Sequence, residues 1–312
     1  MLTFPRYLLR LLLSLLFVLV AVADSHAEKR IGVIMSGDIP YYSAIHETFV
    51  AELNKRFTGG EKIEIIMQRP FPNSLSWSNA ARKLIAFDVD LIVTYGAPAT
   101  QAVVHEKSRI PLVYAGLYEP DKANVADENV TGVGFKIPLS SIVRHFKRLK
   151  TVNTLGIVFS SVEEDSVRQY KTIKDLAEQQ SIKTDGFDLR SRPDLDTLKT
   201  IKSDAVFITG SSLAHLWLGD ILAILKKEQI PDADIFPDDS EHGVLVTLYH
   251  PPLAQGQKAA EMAEKILHGE KPGNIIPQVY RDTELVFNLV SARHLGITFP
   301  IQLIIEATKV IQ

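Results

Sequence analysis

Four short segments of small and polar residues could bind a ligand through their backbone. They are Ser36 and Gly37; Gly96, Ala97, Pro98, Ala99 and Thr100; Ser160 and Ser161; and Gly210, Ser211 and Ser212. Each segment precedes a predicted helix, whose first N–H groups are unpaired and whose N-terminus carries about half a positive charge. Such a turn can hold an anion without a basic side chain. One turn of this kind is more often a simple helix cap, so the prediction rests on the four together.

The segment from Gly96 to Thr100 carries the most specific expectation. Gly96 ends an apolar run, and Pro98 suits the first turn of a helix. The small side chain of Ala99 leaves the backbone open. If the ligand has a carboxylate, we expect N–H groups of this segment to bind it, with the Thr100 hydroxyl as an additional donor.

Acidic and aromatic residues add further candidates. Asp238 and Asp239 precede a predicted strand at residues 244–248, where a carboxylate could pair with a ligand ammonium group. Three more acidic residues nearby equally favour a solvated surface loop, so both interpretations stay open. Tyr42 and Tyr118 fall near predicted strand ends and could stack on a planar or apolar ligand, although one such residue alone is typical of core packing.

Signatures of catalysis are absent from the sequence. It has no G-x-S-x-G, P-loop or H-E-x-x-H motif, and the glycine-rich dinucleotide fingerprint is missing after the first predicted strand. His242 and His250 match no standard metal-site spacing. We therefore expect a binding protein rather than an enzyme, with no cofactor and no metal.

The candidate residues lie between regularly alternating strands and helices. Apolar runs rich in β-branched residues predict strands, and runs with apolar residues spaced by three or four predict helices. The predicted strands occupy residues 30–35, 63–67, 91–95, 112–115, 154–159, 184–189, 205–208, 244–248 and 285–289. This alternation predicts parallel sheets covered by helices, with ligands bound beyond the carboxyl ends of the strands.

The pattern of strands and helices runs through the chain twice. It predicts an α/β protein with two similar Rossmann-like lobes, joined by a multi-strand hinge that permits closure around a ligand. We assign residues 28–138 and about 246–282 to lobe 1. Residues 139–245 and about 283–312 form lobe 2.

The N-terminus has the three-part pattern of a secretory signal peptide. Arg6 and Arg10 precede an apolar stretch at residues 11–23, and small residues occupy positions 25 and 27. We expect cleavage after Ala27 and a soluble protein in the periplasm; the alternative is an uncleaved anchor helix.

The chain has no cysteine, which excludes disulfides, thiolate chemistry and a lipid-attachment cysteine. Its net charge of −3, without long basic runs, excludes the electrostatic footprint of a nucleic-acid-binding protein.

Across almost the whole mature chain, the sequence resembles the ABC-transporter substrate-binding family that includes TrpX-like tryptophan- and tyrosine-binding proteins. The shared segments are residues 30–37 (RIGVIMSG), 89–102 (VDLIVTYGAPATQA), 110–115 (IPLVYA), 129–135 (NVTGVGF), 154–160 (TLGIVFS), 263–272 (AEKILHGEKP) and 285–300 (LVFNLVSARHLGITFP).

The resemblance implies a periplasmic binding protein of type 1 that captures an amino acid or a related small molecule for an ABC importer. Its partner would be an ABC permease in the inner membrane, and we expect a monomer. The turn from Gly96 to Thr100 matches the family's ligand-contacting turn. Departures from the family pattern fall at Glu119-Pro120, at Ser160-Ser161 and at residues 209–212, so the ligand itself is not implied.

Three other functions fit the same lobes. A periplasmic sensor domain would present its ligand to a signalling receptor instead of a permease. An enzyme would need a titratable group aimed into the cleft together with a partner group. A sugar-responsive repressor would need an N-terminal helix-turn-helix, where this chain has the signal-peptide pattern.

Overall fold

The structure is a computed structural model that describes residues 28–58, 62–237 and 243–312. The predicted signal peptide at residues 1–27 lies outside the described residues, as do Asp238 and Asp239.

The first sheet consists of six parallel strands in the order β11-β5-β4-β3-β1-β2. Its strands are β1 (Lys29–Met35), β2 (Ile63–Gln68), β3 (Leu91–Tyr95), β4 (Leu112–Tyr118), β5 (Val130–Phe135) and β11 (Gln278–Tyr280). β1, β3 and β4 lie in the interior of this sheet, and almost every residue in them is buried, as expected for strands covered on both faces.

The second sheet has seven strands in the order β13-β12-β10-β9-β8-β6-β7. Its strands are β6 (Thr154–Phe159), β7 (Lys183–Asp188), β8 (Ala205–Ile208), β9 (Asp232–Asp234), β10 (Val246–Tyr249), β12 (Glu284–Asn288) and β13 (Lys309–Ile311). Only the β10–β12 pair is antiparallel among the described strands. The predicted fold class, an α/β protein with two mostly parallel sheets, is confirmed.

Ten α-helices occur among the described residues. They are α1 (Pro40–Arg56), α2 (Ser74–Ala86), α3 (Ala97–His105), α4 (Ser140–Leu149), α5 (Glu164–Glu178), α6 (Ser212–Leu216), α7 (Leu218–Lys227), α8 (Pro252–Leu267), α9 (Leu289–His294) and α10 (Ile301–Ile304). Within the described ranges, none of the helices combines enough length and apolarity to cross a membrane.

The chain passes between the two sheets three times. It leaves the first sheet after Phe135, returns after Tyr249 and leaves again after Tyr280. The sequence placed the second crossing at about residue 246, but β10 pairs with β9 and β12 and so belongs to the second sheet. We keep the terms lobe 1 and lobe 2 for the elements around the first and second sheets.

Helices α1 and α8 pack closely against each other in lobe 1, and Gly256 of α8 permits that approach. A Cβ atom at residue 256 would lie 2.5 Å from the carbonyl oxygen of Ile45 and 2.7 Å from the Cβ of Thr48. Any side chain larger than hydrogen at this position would therefore push the two helices apart.

We expect Gly256→Ala to lower the free energy of unfolding by about 1–3 kcal/mol, because overpacking outweighs the roughly 1 kcal/mol that alanine contributes through helix propensity. Urea denaturation of both proteins measures the change. Gln257→Ala, on the exposed side of the same helix, is the matched control and should stay within about 0.5 kcal/mol. A neutral or stabilising Gly256→Ala would contradict this packing.

Candidate functional site

The two lobes meet where the carboxyl ends of their strands face each other. Ser36 and Gly37 follow β1, and Ser211 and Ser212 come shortly after β8. A Cβ atom on Gly37 would lie 2.8 Å from the Cβ of Ser212, so these two segments are in direct contact across the cleft. The structure thus brings together predicted segments that are far apart in the sequence.

The turn from Gly96 to Thr100 lies beside this contact, next to the Tyr42 hydroxyl and the Ser36 side chain. Several of its donors are already bonded within lobe 1. The Ala99 N–H donates to Ser36 Oγ at 3.0 Å, and the Thr100 hydroxyl donates to the Gly96 carbonyl at 2.7 Å. The Ala99 N–H and the Thr100 hydroxyl, two of the donors that the sequence offered for a ligand carboxylate, therefore have partners in the protein.

The turn before α6 is likewise occupied, by a residue that the sequence analysis missed. The buried carboxylate of Glu163 accepts hydrogen bonds from the Ser211 hydroxyl at 2.5 Å, the Ser212 N–H at 2.8 Å and the Leu213 N–H at 3.0 Å. Burial raises the pKa of Glu163, and these hydrogen bonds oppose that rise. A ligand would have to displace Glu163 to reach these backbone groups.

Several buried side-chain atoms of lobe 2 near the cleft have no hydrogen-bond partner within the described part of the chain, and five of them surround the start of α5. These five are Ser160 Oγ, Asp165 Oδ1, Arg168 Nε, Gln169 Nε2 and Ser212 Oγ. Buried polar atoms in native proteins almost always have a partner, so a group of five in one region calls for an explanation. We call these atoms the open polar set.

Three members of the open polar set come from the start of α5. Asp165, Arg168 and Gln169 are spaced by three and four residues and therefore share one face of the helix. The Gln169 amide oxygen accepts the Gly210 N–H at 2.7 Å, which orients the NH₂ group away from that turn. Arg168 donates to the Tyr118 carbonyl at 3.2 Å, so this helix face meets lobe 1.

Asp165 is the most strongly perturbed of these residues. It is 3% exposed. Burial, followed by the neighbouring Glu163, raises the pKa of Asp165 to about 7, and Arg168 acts in the opposite direction. The Asp165 charge in turn contributes to the raised pKa of Tyr42 in lobe 1, after the effect of burial. Asp165 is therefore a buried carboxyl group near lobe 1, and Arg168 is the positive charge that lowers its pKa.

Aromatic rings form the apolar side of the cleft. Phe236, just beyond β9, stacks on Tyr41 of lobe 1 with ring centroids 4.2 Å apart, and its ring lies 5.9 Å from that of Tyr42. A cavity of about 220 Å³ opens beside this stack between Ile39 and Tyr41 of lobe 1 and His215 and Phe236 of lobe 2.

Two acidic residues of β9 are buried rather than part of a surface loop. Asp232 accepts the Leu245 N–H at 2.6 Å, and burial raises the pKa of Asp232 to about 7. Asp234 is fully buried, with its Oδ2 3.6 Å from His215 Nε2, and burial raises its pKa as well. No group of three or more metal-ligating side chains occurs within the described ranges.

Not every predicted residue lies at this site. Ser161 is exposed, and its N–H donates to Asp188 at 2.8 Å. Tyr42 and Tyr118 are buried at the lobe interface, as described above, and Gly210 lies in the turn held by Gln169. Three residues of the open polar set, Asp165, Arg168 and Gln169, were not identified from the sequence. Their only sequence signal is that they are polar residues at helical spacing, which is also typical of an exposed helix face.

Comparisons with known proteins agree with this architecture. A family model described as "ABC transporter substrate binding protein" matches residues 62–311. A tyrosine-binding protein of Clostridioides difficile is 21% identical over 276 residues, which cover 85% of this chain and 80% of the relative.

Solved structures share the fold at low sequence identity. An ABC domain from Streptococcus pneumonia in complex with L-Trp superposes with a TM-score of 0.85 at 24% identity, covering 91% of this chain and 100% of that one. A conserved domain protein from Vibrio cholerae gives a TM-score of 0.85 at 22% identity, covering 90% and 99%. The expectation of a binding protein rather than an enzyme is confirmed, and the chain belongs to the ABC transporter substrate-binding protein family.

Proposed function

We propose that this protein is the extracytoplasmic solute-binding component of an ABC importer and captures an amino acid or a related small molecule between its two lobes. Family membership supports the transport role. We infer an amino-acid ligand from the open polar set, because it combines unpaired hydrogen-bond donors and an unpaired acceptor in one buried region.

The chemistry of the open polar set suits an amino-acid head group. Arg168 Nε and Gln169 Nε2 are donors without an acceptor, and the Ser160 and Ser212 hydroxyls can donate as well, which fits a carboxylate. Asp165 Oδ1 is an acceptor without a donor, which fits an ammonium group. A zwitterion presents both charges within a few ångströms, so one ligand can satisfy the whole set.

The aromatic rings suit the remainder of such a ligand. Tyr41, Tyr42, Tyr118 and Phe236 offer ring faces and edges on both sides of the cleft. A tyrosine-binding relative and a structural neighbour in complex with L-Trp support an aromatic or apolar side chain. We retain Ser36, Gly37, Tyr42 and Tyr118 as proposed ligand-facing residues and propose lobe 2, rather than the turn at Gly96, for the carboxylate.

The remaining parts of the proposal concern location and partners. We propose that the protein works in the periplasm as a monomer and delivers its ligand to an ABC permease in the inner membrane. Family membership and the signal-peptide pattern of the sequence support this assignment.

We expect Asp165→Asn to weaken binding of the cognate amino acid at least tenfold near neutral pH, because the ammonium group loses a charge-assisted partner worth about 1.5–3 kcal/mol. Isothermal titration against the twenty amino acids, with L-tyrosine and L-tryptophan first, identifies the ligand and measures the loss. Asp175→Asn, on the same helix, is the matched control and should bind as the parent does.

The pH dependence of binding separates this role from a structural one. A bound ammonium group favours the ionised form of Asp165, so binding requires that the proton leave. Affinity of the parent should therefore fall as the pH drops below about 7, by up to about tenfold per unit. Asp165→Asn should flatten this slope. A variant that keeps both the parent affinity and the parent slope would refute the assignment of the ammonium site.

The contact between Gly37 and Ser212 generates a prediction about closure. In Gly37→Ala the new methyl group would lie 2.8 Å from the Ser212 Cβ, so the closed arrangement would carry a steric cost of about 1–3 kcal/mol. The ligand Kd would therefore rise by roughly 5-fold to 150-fold. Titration calorimetry on a double-mutant cycle measures this cost.

Ser212→Gly is the partner variant in that cycle, because it removes the Cβ that is in the way. Gly37→Ala combined with Ser212→Gly should bind as tightly as Ser212→Gly alone. If Gly37→Ala weakens binding equally in both backgrounds, the loss arises inside lobe 1 and the cleft contact is not the cause.

A further inference from the structure

A cavity of about 380 Å³ lies in lobe 1, away from the cleft. Its walls come from β4, from the chain between β4 and β5, and from the segment that leads into β11. None of its lining residues belongs to the open polar set or to the aromatic rings of the cleft. Its volume falls at the lower end of the range of about 300–1,000 Å³ that is typical of small-molecule sites.

The cavity lies near the edge of the first sheet, on a face that no long helix covers completely. Helix α8 packs on β4 and β5 from one side. On the cavity side the cover comes from residues 120–127 and 272–277, each of which begins with one turn of 3₁₀-helix. The Thr131 hydroxyl donates to the Ile275 carbonyl at 2.8 Å and holds the second of these segments against β5.

Tyr114 supplies a buried hydroxyl group to the wall of the cavity. Gly132 on the neighbouring strand leaves room for its ring, since a Cβ there would lie 2.5 Å from Tyr114 Cγ. Tyr114 is 3% exposed, lines the cavity, and has no hydrogen-bond partner for its hydroxyl among the described residues. Burial, with a smaller effect of Asp121, raises the pKa of Tyr114 to about 12, so the hydroxyl stays protonated.

The charges around the cavity are negative. Asp121 and Asp127 both line it, and no ion pair involves either of them within the described ranges. The only hydrogen bond of their carboxylates there is the one that Asp127 accepts from the Asn129 N–H at 2.9 Å. No lysine, arginine or histidine lines the cavity, and Lys122 is paired with Glu119. An anion would be repelled here and a cation attracted.

We propose that this lobe 1 cavity is a second binding site, for a small organic cation that carries an apolar body. Its ammonium group would face Asp121 and Asp127, and its body would pack against Val130, Ile275 and Val279. The Tyr114 ring and hydroxyl would lie at the base of the bound molecule. This site is independent of amino-acid capture in the cleft.

Benzylammonium chloride is the probe, and benzyl alcohol is its neutral counterpart of nearly the same shape. Titration calorimetry uses the Asp165→Asn protein, so that cleft binding of the ammonium group is already weakened. We expect saturable binding of benzylammonium and at least about fivefold weaker binding of benzyl alcohol, since the charge contributes to affinity.

Variants of the cavity locate the binding. The double variant Asp121→Asn with Asp127→Asn should weaken benzylammonium binding about tenfold and leave benzyl alcohol unchanged. Ala126→Trp, at an exposed position on the rim, should block both probes. Glu47→Gln, at an exposed position on α1, is the control for loss of a carboxylate elsewhere in lobe 1. It should leave the affinities for benzylammonium and benzyl alcohol unchanged.

Three results would overturn the proposal. One is the absence of binding up to about 10 mM benzylammonium, which corresponds to less than about 3 kcal/mol of affinity. Another is equal affinity for the two probes. The third is binding that survives Ala126→Trp, which would place the probe elsewhere. Each of these results leaves the proposed function of the cleft untouched.

Discussion

The carboxylate of Glu163 joins the beginnings of two helices that follow neighbouring strands of lobe 2. Its three hydrogen bonds reach the Ser211 side chain and the first N–H groups of α6, while Glu163 itself precedes α5. Hydrogen bonds to a charged group contribute about 1.5–3 kcal/mol each, and a buried carboxylate without them would be strongly unfavourable. This single side chain therefore determines how α5 and α6 meet at the cleft.

Two consequences follow for the ligand. The N–H groups at the start of α6, which would otherwise attract an anion, are already neutralised by Glu163. In the proposed site, recognition on lobe 2 therefore relies on side chains, and α5 supplies three of them. With the start of α5 held in place, Asp165, Arg168 and Gln169 form one face toward lobe 1, where Tyr42 and Tyr118 lie. Their unpaired atoms form the polar side of the proposed site, and the aromatic rings around Phe236 form its apolar side.

The sequence predicted the sheets well because buried parallel strands are continuous apolar runs. The runs at residues 30–35, 91–95 and 205–208 correspond to β1, β3 and β8, and the small residues after them lie at the lobe interface. By contrast, β9 is the sequence Asp-Ala-Asp, which contains no apolar run. Its burial depends on pairing with β8 and β10, which local sequence does not reveal. For the same reason β10 was assigned to the wrong sheet.

The site was harder to predict than the fold, since it depends on contacts between distant residues. Ser36 and Ala99 are 63 residues apart in the sequence. The Ala99 N–H can donate to Ser36 Oγ only because β1 and β3 pair side by side. Asp165, Arg168 and Gln169 have the spacing of a solvated helix face, and periodicity does not distinguish solvent from a second lobe. The importance of Asp165 is visible only once its burial and the missing partner of its Oδ1 atom are known.

A crystal structure of the protein with its bound amino acid would show which side chains hold the two charged groups of the ligand. We expect the ligand ammonium group within about 3 Å of Asp165 Oδ1 and the ligand carboxylate at similar distances from Arg168 and Gln169. We also expect the Glu163 hydrogen bonds to α6 to remain intact. A carboxylate bound instead to the Ala99 N–H, with Ser36 displaced and Asp165 out of contact with the ligand, would contradict the proposed site.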